Sequence, residues 1–316
     1  MSERYGIRPI DLSCLKTISL AVRGGKVKQG DFARVYERGS GVQGLINSLP
    51  QILAGDSLRA VIEAIFNARR LNKPVIWGLG GHVIKCGLAP VLIDLMNRGY
   101  ATAFAMNGAA SIHDFEIALA GHTSEDVEAV LPDGRFGTAE ETGHQWNDAL
   151  LSGAGAGEAL GMALENLAPA EHRTASILLQ AWQHRIPVTV HVAIGTDTPH
   201  THPAVNPEAL GRATHTDFRL FCTLVTALNS GGVFINAGSA VVMPEVFLKA
   251  LSTVRNLGHE VRDFTTVNLD FLQQYRPRLN VVERPHAQSG GKGYALTGHH
   301  EIMIPLLAAA LIENGQ

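Results

Sequence analysis

Histidines and carboxylates gather in three stretches of this sequence: Asp197, His200 and His202 in one, Glu140, Glu141 and His144 in another, and His299-His300-Glu301 near the end. Imidazole and carboxylate groups are usual ligands of zinc and related metals. Asp197, His200, His202 and His299 are therefore one candidate set for a divalent metal that would activate water, with Glu301 or Glu141 as base. The spacing is unspecific, because neither HExxH nor a carboxylate-rich cage is present and capping or turn roles use the same residues. Lys292 is a candidate of another kind. It stands in Ser289-Gly290-Gly291-Lys292-Gly293-Tyr294, and a lysine flanked by glycines can project into a crevice, where a desolvated neutral amine attacks a carbonyl or imine. The segment is not a Walker loop, since His286 and Gly293 occupy the places where that motif needs Gly and Ser or Thr. A solvated loop lysine is the alternative.

These groups need elements to position them. Val75 onward is an apolar burst cut off by glycines, and Ile84 to Arg98 then has helical spacing at Ile84, Leu88, Leu92 and Leu95. The pattern returns with an apolar run over 101–106, an Asn107-Gly108 turn and a helix that Ser111 can N-cap. Pro187–Ile194, Val233–Asn236 and His259–Thr266 read as further strands, with helices at Pro244–Leu257 and Ile302–Ile312. Short apolar strands alternating with helices predict an α/β fold with a buried, mostly parallel sheet and helices on both faces. Ligands of such sheets lie beyond the strands' C-terminal ends. Four such ends carry glycine or polar residues: Gly78–His82, Asn107–Asp114, Gly195–His202 and Asn236–Ser239. Glycine there lets a ligand approach the backbone, and helix N-termini favour anions; a purely conformational use of Gly and Asn in the turns is the alternative. Gly153 to Gly161 follows no strand and is read as close packing between helices, not a dinucleotide fingerprint.

The chain has 316 residues, a net charge of -3, 46% hydrophobic and 17% charged residues. So few charges predict surface buried between subunits, hence a homo-oligomer. The scattered Lys and Arg argue against nucleic acid, and no apolar run approaches a membrane span. Three distant cysteines, Cys14, Cys86 and Cys222, fit a reducing cytoplasm better than a disulfide framework. With no linker or repeat, one domain over 1–316 is expected: an N-terminal helical or extended segment over 1–72 and a sheet core over 73–316.

From about Lys73 onward the residues resemble the deoxyhypusine synthase family. The sharpest similarity is Gly80-Gly81 with Ile84-Lys85-Cys86 and Leu88-Ala89-Pro90; Ile186-Pro187-Val188 leading to Thr196-Asp197, Gly238 to Val242, Thr265-Thr266 and Pro305-Leu306-Leu307 follow in the same order. The resemblance implies a Rossmann-like, NAD-binding fold, a tetramer, and transferase chemistry on a small amine-type substrate through an enzyme-lysine imine, with Lys292 as that lysine. Gly80, Gly81, Asn107, Gly108, Asp197, Gly238, Thr266 and His299 are the expected cofactor-binding positions. The departures are specific. Met243-Pro244-Glu245 stands where the family has the Lys-His-His that binds spermidine, Gly290 replaces its tryptophan, His299 replaces the aspartate that holds adenosine, and its N-terminal Thr-Ser-Asn has no counterpart. They argue against hypusine synthesis itself. A metal-assisted hydrolase and a non-catalytic nucleotide binder stay open beside this reading.

Overall fold

The computed structural model describes residues 6–315. Strands β1 Val75–Leu79, β2 Ala103–Asn107, β3 Val188–His191, β4 Val233–Ala237, β5 Thr265–Asp270 and β6 Lys292–Thr297 form a six-stranded sheet in the order β3-β2-β1-β4-β5-β6. Every neighbouring pair is parallel. Helices α1 Gly41–Ser48 and α2 Leu53–Arg70 precede the sheet; α3 Gly81–Lys85 and α4 Ala89–Asn97 join β1 to β2. Between β2 and β3 lie α5 Gly108–Ala120, the short α6 Val127–Val130, α7 Glu140–Ala149, α8 Ala156–Leu167 and α9 Ile177–Gln183. Helix α10 Pro207–Thr226 leads to β4, α11 Val242–Asn256 to β5, the turn α12 Tyr275–Pro277 towards β6, and α13 His300–Asn314 ends the chain.

Strand side chains alternate between two cores. Val75, Trp77 and Leu79 pack with Ile62, Leu92, Phe115, Leu160 and Leu307, whereas Ile76 joins Phe221, Phe234 and Phe247 on the other face. Burial on both faces is what an all-parallel sheet requires, and it explains why β1 reads as a continuous apolar run. Gly78 belongs to this packing, because a Cβ there would meet the Phe234 ring at 3.0 Å.

Several boundaries differ from those expected. The helix expected over 84–98 is divided at Gly87, whose φ of +74° ends α3. Asn107, not Ser111, caps α5 by accepting from the Ala110 N–H, and Ser111 lies inside the helix, donating to the Gly108 carbonyl. Strand β5 starts at Thr265 because pairing with Val233 of β4 fixes its register. Strand β6 stands where the glycine-rich sequence suggests a loop, because this edge strand lacks an apolar pattern. The helix expected over 302–312 starts at His300, which places Pro305 inside α13. Among the described residues, no helix is long and apolar enough to cross a membrane.

Candidate functional site

The strand order reverses between β1 and β4, and a ligand crevice is expected outside the carboxyl ends of strands at such a switch point. The turns leaving β1 and β4 touch there. Gly80 N–H donates to the Ala237 carbonyl, and a Cβ on Gly80 would sit 2.0 Å from the Gly238 carbonyl oxygen, while Gly238 itself has a φ of +68°. A Cβ on Gly81 would lie 3.1 Å from Ala109 and from the His113 ring, and one on Gly108 2.0 Å from the Asp197 carboxylate. The close approaches that these three glycines permit in this structure are to the chain itself.

Beside these turns, α3 carries His82 and has Cys86 as its C-cap, and α13 opens with His299 as N-cap, then His300 and Glu301. Cys86 Sγ lies 3.3 Å from His82 Nε2 and donates to Glu301 Oε2 at 3.7 Å. Burial, and then the Glu301 charge, push the Cys86 thiol pKa up. His300 is wholly buried and donates from Nε2 to the Leu269 carbonyl at 3.2 Å, with Asp270 Oδ1 at 3.8 Å. Its Nδ1 has no partner. Desolvation lowers the His300 pKa, against the pull of Asp270. Phe271, part-exposed, lies against the His82, His299 and His300 rings, near-parallel to His299 at 8°. The α13 N-terminus has no side-chain cap, so its amides are suited to an anion.

A second group lies over β2. His113 Nδ1 is 2.7 Å from Thr123 Oγ1, which donates to Glu116, and Thr142 donates to the other Glu116 oxygen at 3.1 Å. Burial alone would raise the Glu116 pKa, but hydrogen bonds from His113, Thr123 and Thr142 outweigh it, and the net direction is down. A cavity of about 200 Å³ is lined by Lys85, His113, Glu116 and Asp197. Asp197 accepts from the Ala193 N–H and from Thr196 Oγ1, and burial raises its pKa. A roomier cavity of about 550 Å³, lined by Gly157, Trp182 and Val188, opens at the N-terminal end of β3 and is not part of the crevice.

Lys292, Thr266 and the expected metal set lie away from the crevice. Lys292 opens β6 opposite Thr265, at the N-terminal edge of the sheet, with its Nζ over the Tyr294 ring. Five strand steps, roughly 16 Å, separate it from the strand's crevice end. Thr266 lies at the same edge, buried, donating to the Val281 carbonyl at 2.5 Å and 2.7 Å from His286 Nε2. The metal set of Asp197, His200, His202 and His299 does not converge, because the first three follow β3 and His299 follows β6, at opposite sheet edges. Five inter-strand steps make that roughly 24 Å. His202 instead lies 3.3 Å from Glu140, and His200 lies against Trp146 with both ring nitrogens unpartnered. Cys86, named from sequence only in the family resemblance and as a free cysteine, had no site role there, and His113, Glu116, Asp270 and Phe271 had none either. Only His82 and Cys86, four residues apart on a helix, carried a readable signal.

No family model matches the chain, and no curated protein matches it. Solved structures do resemble it in fold. A conserved LOR/SDH protein from Methanococcus maripaludis S2 is 15% identical with a TM-score of 0.53, over 84% of this chain and 72% of that one. Unliganded AgrE is 14% identical with a TM-score of 0.53, and this chain, 88% covered, spans only 34% of it. AgrE has also been solved as a ternary complex with ornithine and NAD+, matched at 14% identity and a TM-score of 0.51 over 83% of this chain and 34% of that one. A deoxyhypusine synthase candidate from Entamoeba histolytica is 12% identical with a TM-score of 0.50, over 89% of this chain and 96% of that one. At these identities the likeness is one of fold.

Proposed function

We propose that this chain is an NAD-dependent enzyme of deoxyhypusine synthase-like fold that oxidises a small amine-type substrate at the C-terminal edge of its sheet. The observation that carries the reading is the switch point between β1 and β4, flanked by the uncapped N-terminus of α13 and by His300, Asp270 and Phe271. The ternary complex of AgrE with ornithine and NAD+, on a similar fold, supports the choice of cofactor and substrate class. When bound, NAD accepts a hydride. The α13 amides would face its pyrophosphate, and the exposed ring of Phe271 offers a stacking surface. Lys292 is left out of the reacting centre by its position, so the reading is oxidation without a Lys292 imine.

The test is a thermal-shift and binding series with NAD+, NADH, NADP+ and spermidine. A nicotinamide cofactor at a hundred times its Kd should add about 2.7 kcal/mol of stability, and spermidine alone should add none, because Met243-Pro244-Glu245 lacks the polyamine histidines. Ala240 is exposed in the turn before α11. Ala240→Glu puts an acid at a helix start, which the helix tolerates, and a carboxylate within about 8 Å of a pyrophosphate charge would cost about 2 kcal/mol at an effective dielectric near 20. Cofactor affinity should fall roughly 30-fold while the fold persists, and Lys292→Arg should leave it unchanged. Binding that ignores Ala240→Glu would overturn the crevice assignment.

A further inference from the structure

We infer that His82, Cys86 and Glu301 form a binding site for one divalent transition metal of the zinc class, with an open coordination position facing the crevice. Their ligand atoms lie within 4.8 Å of one another, with His82 Nε2 to Cys86 Sγ at 3.3 Å and Cys86 Sγ to Glu301 Oε2 at 3.7 Å. Zinc bonds of about 2.0 Å to nitrogen or oxygen and about 2.3 Å to sulfur, in a tetrahedron, separate such donors by roughly 3.3 to 3.6 Å. Two of the ligands already stand at that spacing, four residues apart along one face at α3, and the exposed Glu301 side chain can rotate to close the third distance.

The donor set selects the ion. One thiolate and one imidazole suit zinc, cobalt or copper and exclude calcium and magnesium, which take oxygen ligands. Three protein ligands leave a fourth position for water or substrate, as in catalytic zinc sites. The surroundings are organised to match. Glu301 Oε1 lies 3.8 Å from His299 Nδ1, an outer partner of the kind that orients a ligating carboxylate. The His300 ring packs edge-on against that of His82, with centroids 5.5 Å apart, which restrains the orientation of the ligating imidazole. Coordination replaces the thiol proton of Cys86 by the metal and releases it to solvent; no electron is transferred.

The site is tested on metal-free protein titrated with cobalt(II) without nucleotide, so its outcome is independent of the NAD reading. One equivalent should bind, with a thiolate-to-cobalt charge-transfer band in the near ultraviolet and intense visible bands of a four-coordinate centre, and zinc should bleach both. Cys86→Ser should abolish the charge-transfer band, whereas Cys14→Ser and Cys222→Ser, remote from the cluster in sequence, should keep it. His82→Ala and Glu301→Gln should each weaken uptake at least tenfold, and His299→Ala by about 10- to 100-fold as an outer partner. Circular dichroism of each variant verifies folding. Failure to bind cobalt or zinc stoichiometrically, or a charge-transfer band that survives in folded Cys86→Ser, overturns the assignment.

Discussion

Single residues in this protein are constrained by how close two backbones come, and the glycines separate into classes that sequence alone does not distinguish. Gly157 was read as helix packing, and it does bring α8 close to a neighbour, but the neighbour is β3: a Cβ would meet the Val188 carbonyl oxygen at 2.0 Å. Gly161 is the helix-to-helix contact, against Leu178 and Trp182 of α9. Gly80 has the same 2.0 Å conflict with the Gly238 carbonyl, whereas Gly81 meets only side chains and a backbone carbon at 3.1 Å or more. Overpacking against a backbone that cannot move aside costs about 1 to 3 kcal/mol, sometimes more. Gly80→Ala and Gly157→Ala should each lower stability by about 3 kcal/mol in urea denaturation, and Gly81→Ala by about 1. Equal losses for all three would show that these contacts relax more than a packed interior allows. The sequence displayed each glycine, but the atom opposite it is supplied by a segment up to about 160 residues away in the chain, as Gly238 is for Gly80.

At the scale of elements, two buried carboxylates start helices and went unread. Asp114 of α5 accepts from Ser176 Oγ, Ile177 N–H and Leu178 N–H at the head of α9, and Asp217 of α10 accepts from Gly157 N–H of α8 and Val190 N–H of β3. Neither precedes the helix it caps, so no local motif marks it. Burial raises Asp114 to about 6 and Asp217 to about 7, against the lowering effect of the hydrogen bonds. With folded pKa values above the unfolded 3.8, both contribute stability that is complete below pH 3.8 and is lost as pH rises through 6 and 7. Buried His191 and His286, lowered by desolvation to about 3 and about 4, have the opposite sign, and their contribution is lost as pH falls from 6.5 through those values. The two pairs oppose one another between pH 4 and 6.5, so Asp217 dominates just above. The urea midpoint should fall between pH 6.5 and 8 in the wild type and stay flatter in Asp217→Asn, whose amide oxygen can keep both backbone bonds. An unchanged slope in Asp217→Asn would remove this carboxylate as the cause.

For the whole molecule, the sheet was legible because its strands are buried on both faces, and β1, β2 and β4 also stop at a glycine or asparagine; β1, β2, β3 and β4 accordingly match the sequence within two or three residues. The order of the strands was not, since nothing local in Lys292–Thr297 says that this strand lies at the edge beyond β5 with its lysine at the end away from the crevice. The site shows the same division: His299 and the turns at Gly80 and Gly238 lie at the C-terminal edge of the sheet, while Lys292 and Thr266 lie at its N-terminal edge. The low charge fraction has a counterpart in the structure. Ile7, Ile10, Leu12, Leu15, Ile18, Leu20 and Val22 lie along a segment with no helix or strand, and each is at least 65% exposed. Isolated exposed apolar residues are ordinary, but a run of them marks an interaction surface. Further on, Gln51 N–H donates to the Asp31 carbonyl and Arg34 N–H to that of Ser48. A second copy of the chain is the occupant expected for such an arm, since only 17% of residues are charged and closed homo-oligomers are the common assembly. Sedimentation of the full chain should therefore show an oligomer, and removal of residues 1–27, which leaves both hydrogen bonds intact, should shift it to a smaller species with an unchanged circular dichroism spectrum. A full-length monomer at high concentration, or an oligomer indifferent to the truncation, would show that the arm does not bind a second copy.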